Sequence, residues 1–155
     1  MKKFNNLFTL LMVLLLVSCT MSAKPDPENS EKASKGEVVM LNKADFLTKV
    51  FDYEKNQDQW VYEGNKPCII DFYADWCGPC KKVSPILSEL AGVYKDDIII
   101  YKINVDKEKE LAATFGIQSI PTFLFIPAEG QPQIAMGALP REEFIKQIDS
   151  YLLGK

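Results

Sequence analysis

Two cysteines separated by two residues, Cys77 and Cys80, are the part of this 155-residue sequence best suited to chemistry. A thiol pair at that spacing can close into a disulfide and reopen, exchanging electrons with other thiols. The pair lies in Trp76-Cys77-Gly78-Pro79-Cys80-Lys81. Upstream, Cys68 to Tyr73 reads as a buried strand; downstream, about Cys77 to Tyr94 reads as a helix with Val83, Ile86, Leu87 and Leu90 inward. At such a junction the first cysteine meets free backbone N–H groups and the positive end of the helix dipole. Both favour thiolate over thiol, so Cys77 is predicted to ionise readily and act as the nucleophile. Cys80, one turn further on and expected to be more buried, is the resolving thiol. Zinc held by Cys-x-x-Cys needs a second ligand pair, and this chain has neither that pair nor any histidine. Haem attachment needs histidine after the second cysteine, and position 81 is lysine. Spacing alone leaves a purely structural disulfide open.

The absence of histidine excludes His-based acid–base catalysis and His-ligated metal. Proton transfer near neutral pH must come from a shifted thiol, carboxyl or amine. Asp71 stands out, because it lies in an otherwise apolar strand where a carboxylate is costly to ionise. Cys68, in the same strand, reads as a small core hydrophobe.

The elements around these residues alternate. Val38 to Leu41 is a short apolar strand, and Asn42 can cap a helix with Phe46, Leu47, Val50 and Phe51 on one face. Asp52 to Asn65 is polar and irregular, anchored by Trp60 and Tyr62. Pro85 should kink the long helix. Ile98 to Ile103 is a buried strand, Lys107 to Phe115 a short helix closed by Gly116, and Thr122 to Ile126 a strand. Gln133 to Met136 pairs back as a hairpin, and Arg141 to Leu153 is a final amphipathic helix bearing Phe144, Ile148 and Leu152. The pattern predicts one α/β domain over residues 37–155, with a central mixed, mainly parallel sheet covered by helices on both faces.

The first 36 residues differ in kind. Lys2 and Lys3 precede an apolar run, Leu7 to Val17, too short for a ~30 Å bilayer core but fitting a signal peptide. Leu16-Val17-Ser18-Cys19 resembles the bacterial lipoprotein box. Residues 1–18 are therefore expected to be removed and Cys19 to be lipidated and become the first residue; ordinary cleavage after Ala23 is the competing reading. Thr20 to Gly36, rich in Pro, Ser, Lys and Glu, has too little apolar surface to pack and reads as a tether. Beyond residue 18 the chain carries 16 basic and 21 acidic residues, a balance of −5, with no basic run to attract nucleic acid.

The segment Asp71-Phe72-Tyr73-Ala74-Asp75-Trp76-Cys77-Gly78-Pro79-Cys80-Lys81 resembles the active-site segment of the thioredoxin family. Further matches follow in order: Pro85, Lys102 before Asn104-Val105-Asp106, Gly116-Ile117, Ile120-Pro121-Thr122, and Gly137-Ala138. The resemblance spans about residues 37 to 153 and implies the thioredoxin fold. It implies a redox-active Cys77–Cys80 disulfide with no cofactor and no metal. It further implies that Asp71 accepts the proton of Cys80 through water, and that Lys102 is its charge partner; a snorkelling surface lysine is the other reading of Lys102. The bond before Pro121 would be cis, with Ile120 and Pro121 facing the disulfide. Trp76 and Met136-Gly137-Ala138 would complete an apolar surface for an extended segment of substrate. The stretch Tyr53 to Gly64 exceeds the matching region of a minimal thioredoxin.

Gly78-Pro79 resembles the reducing members of the superfamily. The resulting expectation is a monomeric, lipid-anchored periplasmic reductase of disulfides in exported proteins, supplied with electrons by a membrane donor. An oxidase or isomerase running the same chemistry in reverse is the alternative. A non-catalytic binding module is disfavoured by the intact Cys77, Cys80, Asp71 and Pro121.

Overall fold

The computed structural model describes residues 37–155. The apolar run, Cys19 and the tether lie outside the described residues. Nine elements follow in order: β1 (Val39–Met40), α1 (Lys43–Lys49), β2 (Cys68–Tyr73), α2 (Gly78–Val93), β3 (Ile99–Asn104), α3 (Lys109–Thr114), β4 (Thr122–Ile126), β5 (Gln133–Met136) and α4 (Arg141–Lys146). The last helix runs on as a π-helical segment over Gln147–Leu152.

The strands form one mixed sheet in the order β1-β3-β2-β4-β5. β3 lies parallel to both β1 and β2, while β4 is antiparallel to β2 and β5 antiparallel to β4. The antiparallel part thus includes β4 itself as well as the hairpin. Helix length explains the reversal. The 16 residues of α2 span roughly 24 Å, enough to carry the chain back along a strand to begin β3 in parallel. The 6 residues of α3 span only about 9 Å. The chain therefore enters β4 at the end where β2 and β3 finish, and Thr122 pairs with Phe72.

Alternation along the strands divides the core between two faces. Ile69, Ile100, Phe123 and Phe125 pack under α2 and α4, against Val83, Leu87, Leu90, Phe144, Ile148 and Leu152. Ile70, Phe72, Ile103 and Leu124 point the other way, against Phe46, Val50 and Leu111 of the α1 and α3 side. Cys68 is fully buried in this second cluster, as its apolar setting implied.

Local signals hold at several ends. The Asn42 side chain accepts a hydrogen bond from the Asp45 N–H at 2.8 Å, capping α1. Gly116 takes φ +60°, and its N–H bonds the Ala113 carbonyl, closing α3. Helix α2 runs through Pro85 without a break. That proline leaves the Lys81 carbonyl without its usual donor, a group on the exposed side of the helix. The final helix departs from a regular α-helix. Phe144, Ile148 and Leu152 are all buried, but they recur every fourth residue, a stripe that drifts round a helix of 3.6 residues per turn. The wider turn over Gln147–Leu152, with the Leu153 N–H on the Ile148 carbonyl, offsets that drift.

The longer stretch after α1 is a loop whose aromatics pack inward. Trp60 stacks against Phe51 at 4.5 Å between ring centroids, and Tyr53 neighbours Phe46, Phe51 and Phe115. Replacing Asn42 by alanine should cost about 1 kcal/mol of stability. Urea unfolding of Asn42→Ala is expected to show a lower midpoint at unchanged slope.

Candidate active site

Strand β2 ends at Tyr73 and α2 begins at Gly78, so four residues turn the chain from sheet to helix. Cys77 occupies the N-cap position, in extended backbone, and its sulfur accepts the Cys80 N–H at 3.1 Å. The Cys77 sulfur is therefore already placed against an N–H at the positive end of a 16-residue helix. Pro79, in the first turn, lacks an N–H that would have had no intrahelical partner. Cys77 and Cys80 are joined as a disulfide with 5.3 Å between Cα atoms.

The expected contrast in access between the two cysteines is not seen in this disulfide state. Cys77 is 3% and Cys80 2% exposed, because both sulfurs pack with Ala74 under Tyr73, Val105 and Ile120. Trp76 and the β5 end are open instead. Trp76 is 70% and Met136 68% exposed, and Gly137 and Ala138 are exposed beside them in sequence. The indole N–H of Trp76 donates to Asp106 Oδ2 at 2.9 Å, holding the ring at the surface. A groove of about 160 Å³ runs between Trp76, Val105 and the segment Ile117–Ile120. Val105, Ile117, Gln118 and Ser119 were not singled out as site residues by their sequence, which reads as ordinary loop and helix end.

The Ile120–Pro121 bond is cis. The Pro121 carbonyl is taken by the Gly137 N–H at 2.8 Å, which ties the segment before β4 to the end of β5. Among the described residues no backbone hydrogen bond engages Ile120. An added extended segment would thus find its backbone partners on Ile120, and not on Pro121 as well.

Asp71 and Lys102 are register partners on β2 and β3, and both point to the α2 face. Asp71 is 1% exposed, and neither carboxylate oxygen has a hydrogen-bond partner. The Lys102 ammonium lies 3.4 Å from Asp71 Oδ2, with its side chain 13% exposed, which identifies it as a charge partner and not a surface lysine. Burial pushes the Asp71 carboxyl up to about 6, and the nearby ammonium offsets only part of that. Burial likewise pushes the Cys68 thiol up to about 12, which keeps it protonated. A cavity of about 140 Å³ is lined by Tyr73, Asp75, Cys80, Lys81, Ser84 and Lys102. It joins Cys80 to the ammonium beside Asp71, and it has room for water. Among the described residues no cluster of carboxylates and thiols could hold a metal.

The family model described as Thioredoxin matches residues 37–150. The chain belongs to the thioredoxin family. It is similar to the thioredoxin of Borreliella burgdorferi, 47% identical over 106 residues that cover 68% of this chain and 90% of that one. The thioredoxin of Chlorobaculum thiosulfatiphilum is 37% identical over 99 residues, 64% of this chain and 92% of that one. An M-type chloroplastic thioredoxin of Spinacia oleracea is 38% identical over 100 residues, 63% of this chain and 55% of its own length. Membership makes the chain a thiol–disulfide oxidoreductase acting on disulfide-containing proteins, with Cys77 and Cys80 as the redox pair and no cofactor.

The buried carboxyl of this thioredoxin domain has a thermodynamic consequence. Unfolded, Asp71 ionises near the ordinary carboxyl value of 3.8; folded, only near 6. Between these values the folded state binds more protons, so stability falls as pH rises. Above about pH 6 the ionised group costs the fold on the order of 3 kcal/mol. Asp71→Asn should therefore raise the urea midpoint at pH 7 to 8 and lose that advantage below pH 4. A variant that is no more stable at pH 8 than at pH 4, relative to wild type, contradicts this.

Proposed function

We propose that the protein reduces disulfides of exported proteins from a membrane anchor at Cys19, drawing electrons from a membrane donor. The observation that carries the chemistry is the Cys77 sulfur at the start of α2 with the Cys80 N–H directed at it. A thiolate formed there attacks a client disulfide, forming a Cys77–client bond and releasing one client thiolate. Asp71 then takes the Cys80 proton through the cavity that Cys80 and Lys102 share. The Cys80 sulfur attacks Cys77, the second client thiolate leaves, and the domain holds the Cys77–Cys80 disulfide. Two electrons have passed to the client and must be restored by the donor.

Client docking falls to the exposed apolar rim. Trp76, Met136, Gly137 and Ala138 would flank an extended client segment that bonds Ile120 beside Pro121. Gly78-Pro79 supports the reducing direction, because neither residue between the cysteines adds charge stabilisation to the thiolate. The signal-like residues 1–18 and the box ending in Cys19 support export and lipidation.

Insulin disulfide reduction with dithiothreitol tests the nucleophile: Cys77→Ser should abolish turnover, while Cys80→Ser should accumulate a client mixed disulfide. Equilibration with glutathione should give a potential more negative than about −220 mV, and a value near −120 mV would reverse the proposed direction. Mass spectrometry of the membrane fraction should find an acylated Cys19; a mature chain beginning at Lys24 rejects the anchor.

A further inference from the structure

The Lys102 ammonium has three neighbours, not one. It lies 3.4 Å from Asp71 Oδ2, donates to Ser84 Oγ at 3.3 Å, and sits 4.1 Å from the centre of the Tyr73 ring. Only the Ser84 contact is a hydrogen bond, since both Asp71 oxygens are without one. Ser84 stands on α2 one turn after Cys80, and both line the same cavity. The ammonium is thus drawn towards helix and ring, away from full closure on the carboxylate. A lysine free of those contacts would gain a charge-assisted hydrogen bond by moving onto Asp71.

We propose that Ser84 is a positioning residue, holding the Lys102 ammonium against the Tyr73 ring and short of a hydrogen bond to Asp71, so that Asp71 remains a usable base for Cys80. This rests on the proton-acceptor role of Asp71 proposed above. A closed Asp71–Lys102 pair would favour the ionised carboxyl and weaken its hold on a proton. The other polar or charged groups facing the site are few. From β2 and the turn after it come Tyr73 and Asp75; from α2 come Cys80, Lys81 and Ser84; from β3 comes Lys102. The β4 neighbour of Asp71 is Phe123, which carries no charge.

The test uses the full chain with its disulfide closed, so that neither Cys77 nor Cys80 titrates alongside Asp71. Carbon-13 NMR of the Asp71 carboxyl should give a titration midpoint lower in Ser84→Ala than in wild type, by on the order of one pH unit. Ser84→Thr, which keeps the hydroxyl, should restore the wild-type midpoint. A midpoint unmoved or raised in Ser84→Ala overturns the proposal, as does a Ser84→Thr midpoint that follows the alanine variant. The same variants are then reduced with dithiothreitol, freed of the reductant, and their single-turnover client reduction is followed against pH. If its acid limb falls together with the Asp71 midpoint, both the positioning and the proton-acceptor roles stand. If the midpoint falls and the limb does not, the positioning role of Ser84 stands and the role given to Asp71 fails.

Discussion

The site depends on one local constraint: a helix must begin immediately after a buried strand ends. The first N–H groups of any helix have no partner within it. Here one of them, from Cys80, is met by the Cys77 sulfur, so the cap of α2 is itself the reacting atom. No basic side chain need be brought in to favour the thiolate, because the backbone supplies the field. The same short turn puts Cys80 within disulfide reach and leaves Trp76 outside, tethered to Asp106.

Everything else at the site arrives because the chain returns to that end of the sheet. The long α2 crossover makes β3 parallel to β2 and thereby sets Lys102 beside Asp71. The short α3 cannot repeat the crossover, so β4 starts where β2 and β3 stop, which delivers Ile120 to the disulfide. The bond from Gly137 to Pro121 then fixes the end of β5 on the same rim. Lys43 pairs with Glu54 and Glu110, linking α1, the loop after it and α3. Such surface pairs contribute little stability. Their effect is on orientation, with Phe115, at the end of that helix, packed against Phe46 and Tyr53.

Features written in consecutive residues were readable from the sequence, and those made by tertiary pairing were not. The cysteine pair, the Asn42 cap, the Gly116 stop and the burial of Cys68 are local or nearly so. The isomer at Pro121 came from family resemblance, since nothing in Ile120-Pro121-Thr122 dictates it. The direction of β4 escaped the alternating pattern, because periodicity reports which face is buried and not which way the chain runs. Ser84 was invisible for a related reason. On its own it is an unremarked helix residue, and it acquires a partner only when β3 brings Lys102 beneath α2. The π-helical turn near Gln147 likewise answers to packing of Ile148 and Leu152.

Asp71 and Asp52 show what moves a covered carboxyl up or down from its ordinary range. Both are buried, at 1% and 7% exposed. Asp52 lies close to the surface, is met by the Lys55 ammonium at 2.6 Å and accepts the Lys55 N–H at 3.1 Å. Those bonds, the side-chain one foremost, draw its carboxyl below the ordinary range. Asp71 lies deeper, has an ammonium only at 3.4 Å and accepts no hydrogen bond, and its carboxyl moves the other way. Net charge nearby is alike in kind at the two sites, one lysine each. Depth decides the sign: desolvation outweighs the one ammonium beside Asp71, whereas at Asp52 the bonds to Lys55 outweigh it. A fold selected for stability alone would let Lys102 close that gap or replace Asp71 with an apolar residue. On the role proposed above for Asp71, a carboxylate that accepts no hydrogen bond would suit a neighbouring thiol that must lose its proton, and Cys80 lines the adjacent cavity.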